Sequence, residues 1–228
     1  MTTTTLNGAS VLLLGATGGL GRALGEELAA RGAALTMVGR DQQRLDQLAV
    51  AGPRVALDLR SPDACAAAMR SAVEHHGKLD VVINAVGVVA FGDVATLSTD
   101  VMEDLFMTNT FIPIMVATEA MNTLSTGGVI VNISGVIAEQ NLPGMVAYGA
   151  SKAALRAFDE GFAREARRKG VRVIDARPPH TETGLVDRAI AGTAPKMGQG
   201  LEPAVVARVI CDGIESGATD LGSAAFVA

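Results

Sequence analysis

The chain has 228 residues, of which 49% are hydrophobic and 19% charged, and these proportions predict a compact soluble protein with one sizeable core. The formal net charge of −5 leaves no basic excess for binding phosphate backbones, which argues against nucleic acid as a partner. The opening MTTTTLNG lacks the features of a signal peptide and no apolar run is long enough for a membrane span, so we expect a cytoplasmic protein without membrane contact.

Six short apolar segments recur along the chain and predict strands buried on both faces of a parallel sheet, because they are continuously hydrophobic rather than alternating. They are residues 11–15, 34–39, 54–59, 79–85, 129–134 and 171–176. Segments between them have helical spacing, as in Leu20, Leu24 and Leu28. Alternating strands and helices predict an α/β fold: a Rossmann-like, doubly wound parallel sheet in three layers, forming a single domain over residues 1–228.

Two segments fall outside these elements. The polar, threonine-rich residues 1–8 are expected to be frayed. Residues 181–200 are expected to form a substrate loop, whose Gly/Ala/Thr-rich part, 191–200, is expected to be mobile. Neither segment carries a repeat or the composition of an interdomain linker.

The first predicted strand runs into LLLGATGGLGRAL, where glycines occupy the turn and the opening of the helix. Glycine permits a tight turn and lets backbone N–H groups approach a pyrophosphate at the positive helix end, and Thr17 adds a hydroxyl donor. The pattern also occurs where a helix merely packs closely on a strand, so it indicates a dinucleotide site only through its strand-turn-helix context. The candidate cofactor residues here are Gly15, Thr17, Gly18, Gly19, Leu20 and Gly21.

The end of the second predicted strand reads MVGRDQ. A site for NAD carries an acid there to hold the ribose 2′-hydroxyl, whereas Gly39 has no carboxylate and Arg40 offers a cation for a 2′-phosphate. NADP(H) is therefore favoured. NAD(H) stays possible because Asp41 can reach the ribose, and Arg40 can equally be a solvated loop charge with Asp41 as a helix cap.

The motif order resembles that of the short-chain dehydrogenase/reductase family. The glycine-rich turn is followed by LDL at 57–59, NAVG at 84–87 and YGASK at 148–152, and the match covers nearly the whole chain. The resemblance implies that Asp58 and Leu59 border the adenine. It also implies that Asn84, Ala85 and Gly87 stabilise the sheet beside the cofactor.

The resemblance assigns the chemistry to three further residues. It makes Tyr148 the general acid/base, gives the nicotinamide ribose to Lys152, and makes Asn109 the organiser of a proton-relay water. It also matches RPPHTET to the family's segment near the carboxamide, with Pro178 and Thr183 at the corresponding positions.

The spacing of Tyr148 and Lys152 fits this assignment, because residues four apart share a helix face. A tyrosine has a pKa of about 10, and a neighbouring cation is expected to lower it. The alternative is a surface tyrosine beside an ordinary helix charge.

The sequence also departs from the family pattern. Leu14 and Pro179 replace usual loop residues, and the family's Gly-Gly ending is missing after LGSAAFVA. Most important, the position of the family's serine is Gly135. Ser134, one position earlier, should aim away from the substrate unless a bulge turns it around, and it is kept as a candidate catalytic residue on that ground.

Two functions follow from these observations. The first is an NADP(H)-dependent oxidoreductase that interconverts a carbonyl and an alcohol on a small, largely apolar substrate framed by residues 88–97 and 181–200. The alternative is a catalytically weakened NADP-binding sensor or assembly protein that lacks the serine at position 135. The family's habit implies a homodimer or homotetramer, for which candidate contacts are Met102, Leu105, Phe106 and Met115, although core burial explains them equally well.

No metal site is expected. Cys65 and Cys211 lack metal-ligand spacing and are interpreted as reduced structural thiols. The three histidines, His75, His76 and His180, form no pair with ligand spacing on a predicted face.

Overall fold

The computed structural model describes residues 3–227, in which seven parallel strands form one sheet. The strand order is β3-β2-β1-β4-β5-β6-β7, so the direction of winding reverses between β1 and β4. The strands are β1 Ser10–Leu14, β2 Ala34–Gly39, β3 Arg54–Ala56, β4 Val81–Asn84, β5 Val129–Ile133, β6 Arg172–Ala176 and β7 Asp220–Leu221. The predicted α/β, Rossmann-like sheet is confirmed.

Helices cover both faces of the sheet and produce three layers. The helices are α1 Gly19–Ala30, α2 Gln42–Asp46, α3 Pro62–His76, α4 Thr99–Phe106, α5 Ile112–Thr123, α6 Val146–Arg168 and α7 Pro203–Ser216. One apolar core lies between the sheet and α1, α2 and α7, and a second lies between the sheet and α3, α5 and α6. Within residues 3–227, no helix is both long enough and apolar enough to serve as a membrane span.

The observed strands differ from the predicted ones mainly at their carboxyl ends. Residues 57–59 and Ala85 leave the ladder because the chain there turns into the loops that surround the site. The last strand, β7, was missed, because a strand of two residues carries no hydrophobic period.

The expectation of a frayed segment over residues 1–8 is corrected by Leu6, whose side chain is fully buried in the core beside α1 and α7. The Leu6 N–H donates to Glu215 of α7, and the Gly8 N–H donates to the carbonyl of Gly32. A single leucine among threonines has no periodic neighbours, so no hydrophobic pattern indicates this anchor. Residues 1 and 2 lie outside the described part.

The proposed contact face for a second copy also needs one correction. Leu105 is fully buried within the protomer and cannot contribute to an interface. Met102, Phe106 and Met115 are partly buried, and the neighbouring Phe111 is half exposed.

Candidate functional site

A cavity of about 520 Å³ opens at the carboxyl edge of the sheet, around the point where the winding reverses. In doubly wound sheets this crevice is where ligands bind. Most of the residues predicted from the sequence line it together: Gly15, Thr17, Gly18, Gly19, Leu20, Gly21, Arg40, Asp58, Leu59, Ala85, Gly87, Ser134, Tyr148, Lys152 and Thr183. Asn84 and Asn109 are buried behind its wall.

The glycine-rich turn is held by direct contacts between backbone atoms. Gly15 has φ +77°, and a β-carbon added there would lie 2.8 Å from the carbonyl carbon and oxygen of Ala85. A β-carbon at Gly21 would overlap the carbonyl of Gly15, and one at Gly19 would overlap the backbone of Thr183. These glycines therefore serve close packing and also keep the cavity wall free of side chains.

The N-terminal end of α1 forms part of this wall. Its cap residue, Gly18, provides no side-chain hydrogen bond to the first turn. The N–H groups at the start of a helix then need another partner, and together with the helix dipole they favour an anion. The turn thus has the form of a phosphate cradle.

Two arginines, Arg40 and Arg44, line the cavity together with Asp58 and Leu59. Arg40 is exposed there, and Arg44 donates from Nη2 to the carbonyl of Thr17 at 3.0 Å. Asp41 caps α2 by accepting from the Arg44 N–H at 3.2 Å. The cap interpretation of Asp41 is therefore confirmed, and Asp41 does not line the cavity.

The sequence reasoning missed Arg44 and Arg60, both of which line the cavity. Arg44 lies in α2, directly after the loop that carries Arg40, and this nearness in sequence was the available signal. Arg60 comes directly after LDL and pairs with Asp104 at 2.9 Å.

Asn109 is positioned by a π-helical turn, Met107–Phe111, between α4 and α5. Such turns are rare and occur often at functional sites. The Asn109 side chain accepts from the Val88 N–H at 3.0 Å and donates to the Val88 carbonyl at 2.9 Å and to Ser151 Oγ at 3.1 Å. Its three hydrogen bonds tie the loop after β4 to α6.

Lys152 is buried and donates from Nζ to the carbonyl of Ile133 at 2.7 Å. A β-carbon on Gly87 would lie 3.5 Å from this Nζ and 3.4 Å from Oδ1 of Asn109. Gly87 therefore leaves a space that is bordered by the Lys152 ammonium and by the side-chain amide of Asn109.

The pKa values of both Tyr148 and Lys152 are shifted by burial, and that of Tyr148 differs from the expectation. Burial raises the pKa of Tyr148 to about 12. Burial also lowers the pKa of Lys152 to about 8, against the opposing influence of Asp175 and Asp159. The predicted lowering of the Tyr148 pKa by its neighbour is therefore wrong for the protein alone, because loss of solvent dominates. The phenol holds its proton at neutral pH.

The strand end at Ser134 contains a bulge, since the N–H groups of Ser134 and Gly135 both donate to the carbonyl of Ala176. Gly135 takes φ +81° and ψ 161° there. The bulge does not turn the Ser134 hydroxyl to the substrate, because that hydroxyl is fully buried and donates to Asp175. This geometry agrees with the expectation that Ser134 aims away from the substrate, its catalytic role stays an untested prediction, and no side-chain hydroxyl occupies position 135.

The half of the cavity beside Tyr148 is apolar. Val89, Phe91, Ile137 and Met145 form a small buried cluster against which the tyrosine ring packs. Loop residues Leu185, Val186, Ile190 and Met197 also line the cavity. The sequence reasoning missed Ile137, Leu142, Met145 and His180, for which the signal was their proximity in sequence to Gly135, Tyr148 and Pro178.

The segment that frames this half is tied down at both ends. Ala191 pairs with Ala90 and Leu201 pairs with Thr181, each in a short parallel bridge. The mobility predicted for residues 191–200 can therefore apply only between these bridges. Among the described residues, no group of three or more metal-ligating side chains comes together.

Comparison with known proteins gives a consistent result. The profile of the short chain dehydrogenase family matches residues 9–193. A dehydrogenase/reductase SDR family member 7B from Bos taurus is 30% identical over 224 residues, which is 89% of this chain and 69% of the relative. A 3beta-hydroxysteroid dehydrogenase from Mediterraneibacter gnavus is 30% identical over 83% of this chain and 72% of its own length.

Solved structures show the same fold. A short-chain dehydrogenase from Burkholderia cenocepacia J2315 in complex with NADP has a TM-score of 0.83 at 24% identity, covering 96% of this chain and 97% of that one. A short-chain dehydrogenase/reductase from Serratia marcescens has a TM-score of 0.85 at 22% identity, covering 99% of this chain and 100% of that one.

The strand end yields a testable prediction. Ser134→Ala removes the donor to the buried Asp175 carboxylate, so we expect a loss of about 1–3 kcal/mol in unfolding free energy. Gly135→Ser places a β-carbon at φ +81°, which costs about 1–3 kcal/mol. Urea unfolding measures both losses.

Gly198→Ser is the control, since Gly198 has open space and no positive φ, and it should leave stability unchanged. An unaltered stability of Ser134→Ala, combined with lost turnover, would contradict this account and return the hydroxyl to the substrate.

Proposed function

The chain belongs to the short-chain dehydrogenase family, and from this premise we propose that it is an NADP(H)-dependent oxidoreductase interconverting a carbonyl and an alcohol. The observation that carries the proposal is the position of Tyr148, which lines the cavity together with the glycine-rich wall and packs against its apolar half. A proton donor at this position lies between the wall proposed for the dinucleotide and the apolar half proposed for the substrate.

The residues of the cavity fit a dinucleotide. The wall of Gly15, Gly19 and Gly21, where a β-carbon would overlap neighbouring backbone, suits a pyrophosphate. Asp58 and Leu59 would border the adenine, Lys152 the nicotinamide ribose, and Thr183 the carboxamide. The NADP complex of the Burkholderia cenocepacia relative supports this assignment by likeness of fold.

Arg40 and Arg44 support NADP(H) over NAD(H). Both line the cavity where β2 ends, and guanidinium groups bind phosphates through paired hydrogen bonds. Asp41, the carboxylate next to Arg40 in sequence, is engaged as the cap of α2 and does not line the cavity.

The chemistry assigned to the protein is proton transfer, and a bound nicotinamide supplies or takes the hydride. In the direction of reduction, the Tyr148 hydroxyl donates its proton to the substrate oxygen, and in oxidation it accepts one. The Lys152 ammonium stabilises the negative charge that Tyr148 acquires on donating. Asn109 is fixed by its hydrogen bonds to Val88 and Ser151. It holds the loop after β4 in place beside Lys152, where the proton that Tyr148 donates is replaced.

The substrate is proposed to be small and largely apolar, because the cluster around Tyr148 offers few polar groups. Relatives named as a 3beta-hydroxysteroid dehydrogenase and a versicolorin reductase are consistent with an apolar ligand. We also propose assembly as a homodimer or homotetramer, with Phe111 and its partly buried neighbours as contacts. Location in the cytoplasm stays a prediction.

A second function, an NADP-binding sensor or assembly protein with weak turnover, is favoured by one observation. The family's serine position is Gly135, and the nearest hydroxyl is committed to Asp175. Measuring turnover of NADPH against a panel of ketones, aldehydes and quinones separates the two functions.

For the cofactor, we predict that the protein binds NADPH more tightly than NADH. Arg40→Ala and Arg44→Ala should each weaken NADPH by about tenfold and leave NADH unchanged, because only the phosphate contact is lost. Fluorescence titration of both cofactors measures this. Arg70→Ala, an exposed arginine outside the cavity, is the control, and equal affinities of the wild type for the two cofactors would refute the preference.

For the acid/base, we predict that Tyr148→Phe lowers carbonyl reduction by at least about a hundredfold and keeps NADPH binding, since the ring stays and the titrating hydroxyl goes. Lys152→Ala should damage both. Steady-state rates on one accepted substrate, with cofactor titrations in parallel, test this. A phenylalanine variant that retained most of its turnover would show that another group supplies the proton.

A further inference from the structure

The cavity wall carries an imidazole that the proposed chemistry does not use. His180 lines the cavity together with Gly135 and Tyr148, and its side chain is 24% exposed. Pockets for small molecules are mostly apolar, and the few polar groups that they contain fix the orientation of the ligand. The surroundings of His180 therefore indicate what kind of ligand group it can bind.

Backbone contacts place His180 beside the apolar half of the cavity. The Pro178 carbonyl accepts from the Val136 N–H at 3.0 Å, next to the strand end of β5. Ile137, the residue after Val136, belongs to the apolar cluster against which Tyr148 packs. His180 follows Pro178 by two residues, and two residues of extended chain span at most about 7 Å. The imidazole thus borders the part of the cavity proposed for the substrate.

The ring is held along one edge. Its Nε2 lies 3.5 Å from Oε1 of Glu182, and this Oε1 accepts from the Gly200 N–H at 2.7 Å. A β-carbon on Gly200 would lie 2.7 Å from Cδ2 of His180, so the loop approaches the ring closely on that side. The His180 carbonyl accepts from the Leu201 N–H at 2.8 Å. Because Nε2 and Cδ2 are adjacent in the ring, Nδ1 lies on the opposite edge.

Two neighbouring hydroxyl groups of the cavity wall already have partners. Ser134 donates to Asp175, and Thr181 donates from Oγ1 to the Pro179 carbonyl at 2.8 Å. Within residues 3–227, in contrast, Nδ1 of His180 has no hydrogen-bond partner. A polar group in apolar surroundings needs a partner to offset the loss of water. The free edge of His180 is therefore available to a polar group of the substrate.

The carboxylate of Glu182 determines which polar group fits. A carboxylate beside Nε2 favours a proton on that nitrogen, and the neutral imidazole then presents Nδ1 as an acceptor. An acceptor matches a hydroxyl group, which has a proton to donate. A site that hydrogen-bonds a substrate hydroxyl discriminates against the analogue that lacks it.

We propose that His180 is a specificity-determining residue that binds a hydroxyl group of the substrate through Nδ1. The preferred substrate is then a small apolar compound that bears a hydroxyl in addition to the reacting carbonyl or alcohol, that is, a hydroxy ketone or the corresponding diol. The reacting group rests on the proposed function. The binding of a hydroxyl at His180 does not.

The kinetic test compares ketones that differ by one hydroxyl group. The wild type should reduce at least one of the positional isomers of hydroxycyclohexanone with a kcat/KM about tenfold above that for cyclohexanone, because one additional hydrogen bond forms. His180→Phe keeps an aromatic ring and removes both ring nitrogens, so it should lower this ratio by about tenfold. If His180→Phe does not fold, His180→Leu removes the same nitrogens with less bulk.

The control is His75→Phe, because His75 is exposed on α3 and does not line the cavity. It should leave the ratio as in the wild type. A wild type that prefers no isomer over cyclohexanone would overturn the proposal. A preference that survives removal of the His180 imidazole would overturn it equally.

A binding measurement reads the imidazole directly. The chain has three histidines, so nitrogen-15 NMR spectra of histidine-labelled protein contain few signals, and His75→Gln and His76→Gln assign those of His180 by elimination. The probes are the isomers of cyclohexanediol, with cyclohexanol as the matched control. They are added with NADPH, which cannot oxidise them, and again without cofactor. At least one diol should shift the His180 signals at a concentration at which cyclohexanol does not.

The two measurements separate this inference from the proposed function. A wild type that reduces no carbonyl compound would defeat the proposed function, and a diol that shifts the His180 signals would still support the hydroxyl contact. His180 signals that no diol shifts would overturn the inference, whether or not the protein turns over a ketone.

Discussion

The contact on which the site depends is the approach of backbone to backbone at the end of β1. Gly15 presses against Ala85 of the neighbouring strand, and the start of α1 presses against Gly15 through Gly21. No β-carbon fits at either glycine. Because these contacts fix the strand end, the helix start and the loop after β4 relative to one another, the crevice between them has a definite shape. Gly19 makes a similar contact, because a β-carbon there would overlap the backbone of Thr183 in the loop that packs against it.

A second consequence of missing side chains appears at Gly87 and Gly135. Gly87 leaves a space bordered by Lys152 Nζ and Asn109 Oδ1, which a β-carbon there would contact at 3.5 Å and 3.4 Å. At Gly135 the backbone adopts angles that favour glycine, and the preceding serine is drawn to Asp175. The site therefore keeps a proton donor and a cation but lacks a side-chain donor at the serine position. Burial governs the pKa of both titrating groups, and two buried carboxylates, Asp175 and Asp159, offset part of its effect on the pKa of Lys152.

The sequence predicted most of the fold because the strands are continuously apolar and the helices between them are periodic. It also predicted the glycine wall, Arg40 and the tyrosine–lysine pair, since each is a local pattern. It did not predict the hydrogen bond of Ser134 to Asp175 or the burial of Leu6, because both depend on partners distant along the chain, Asp175 and Glu215. The raised pKa of Tyr148 was missed for a similar reason, since desolvation depends on what packs around the ring and not on its neighbours in sequence.

The central claim is that the glycine wall is a nucleotide site, and a pair of alanine substitutions tests it most directly. Gly21→Ala puts a methyl group against the Gly15 carbonyl and must displace the first turn of α1, whereas Gly161→Ala, on the exposed side of α6, meets no neighbour within 4 Å.

The measurement is NADPH affinity, with thermal unfolding to establish that both variants are folded. The account predicts that Gly21→Ala binds NADPH at least about tenfold more weakly, because its N–H groups are misplaced for the pyrophosphate. It predicts that Gly161→Ala keeps the wild-type affinity and gains up to about 1 kcal/mol in stability. A Gly21→Ala variant that binds NADPH as tightly as the wild type would contradict the account.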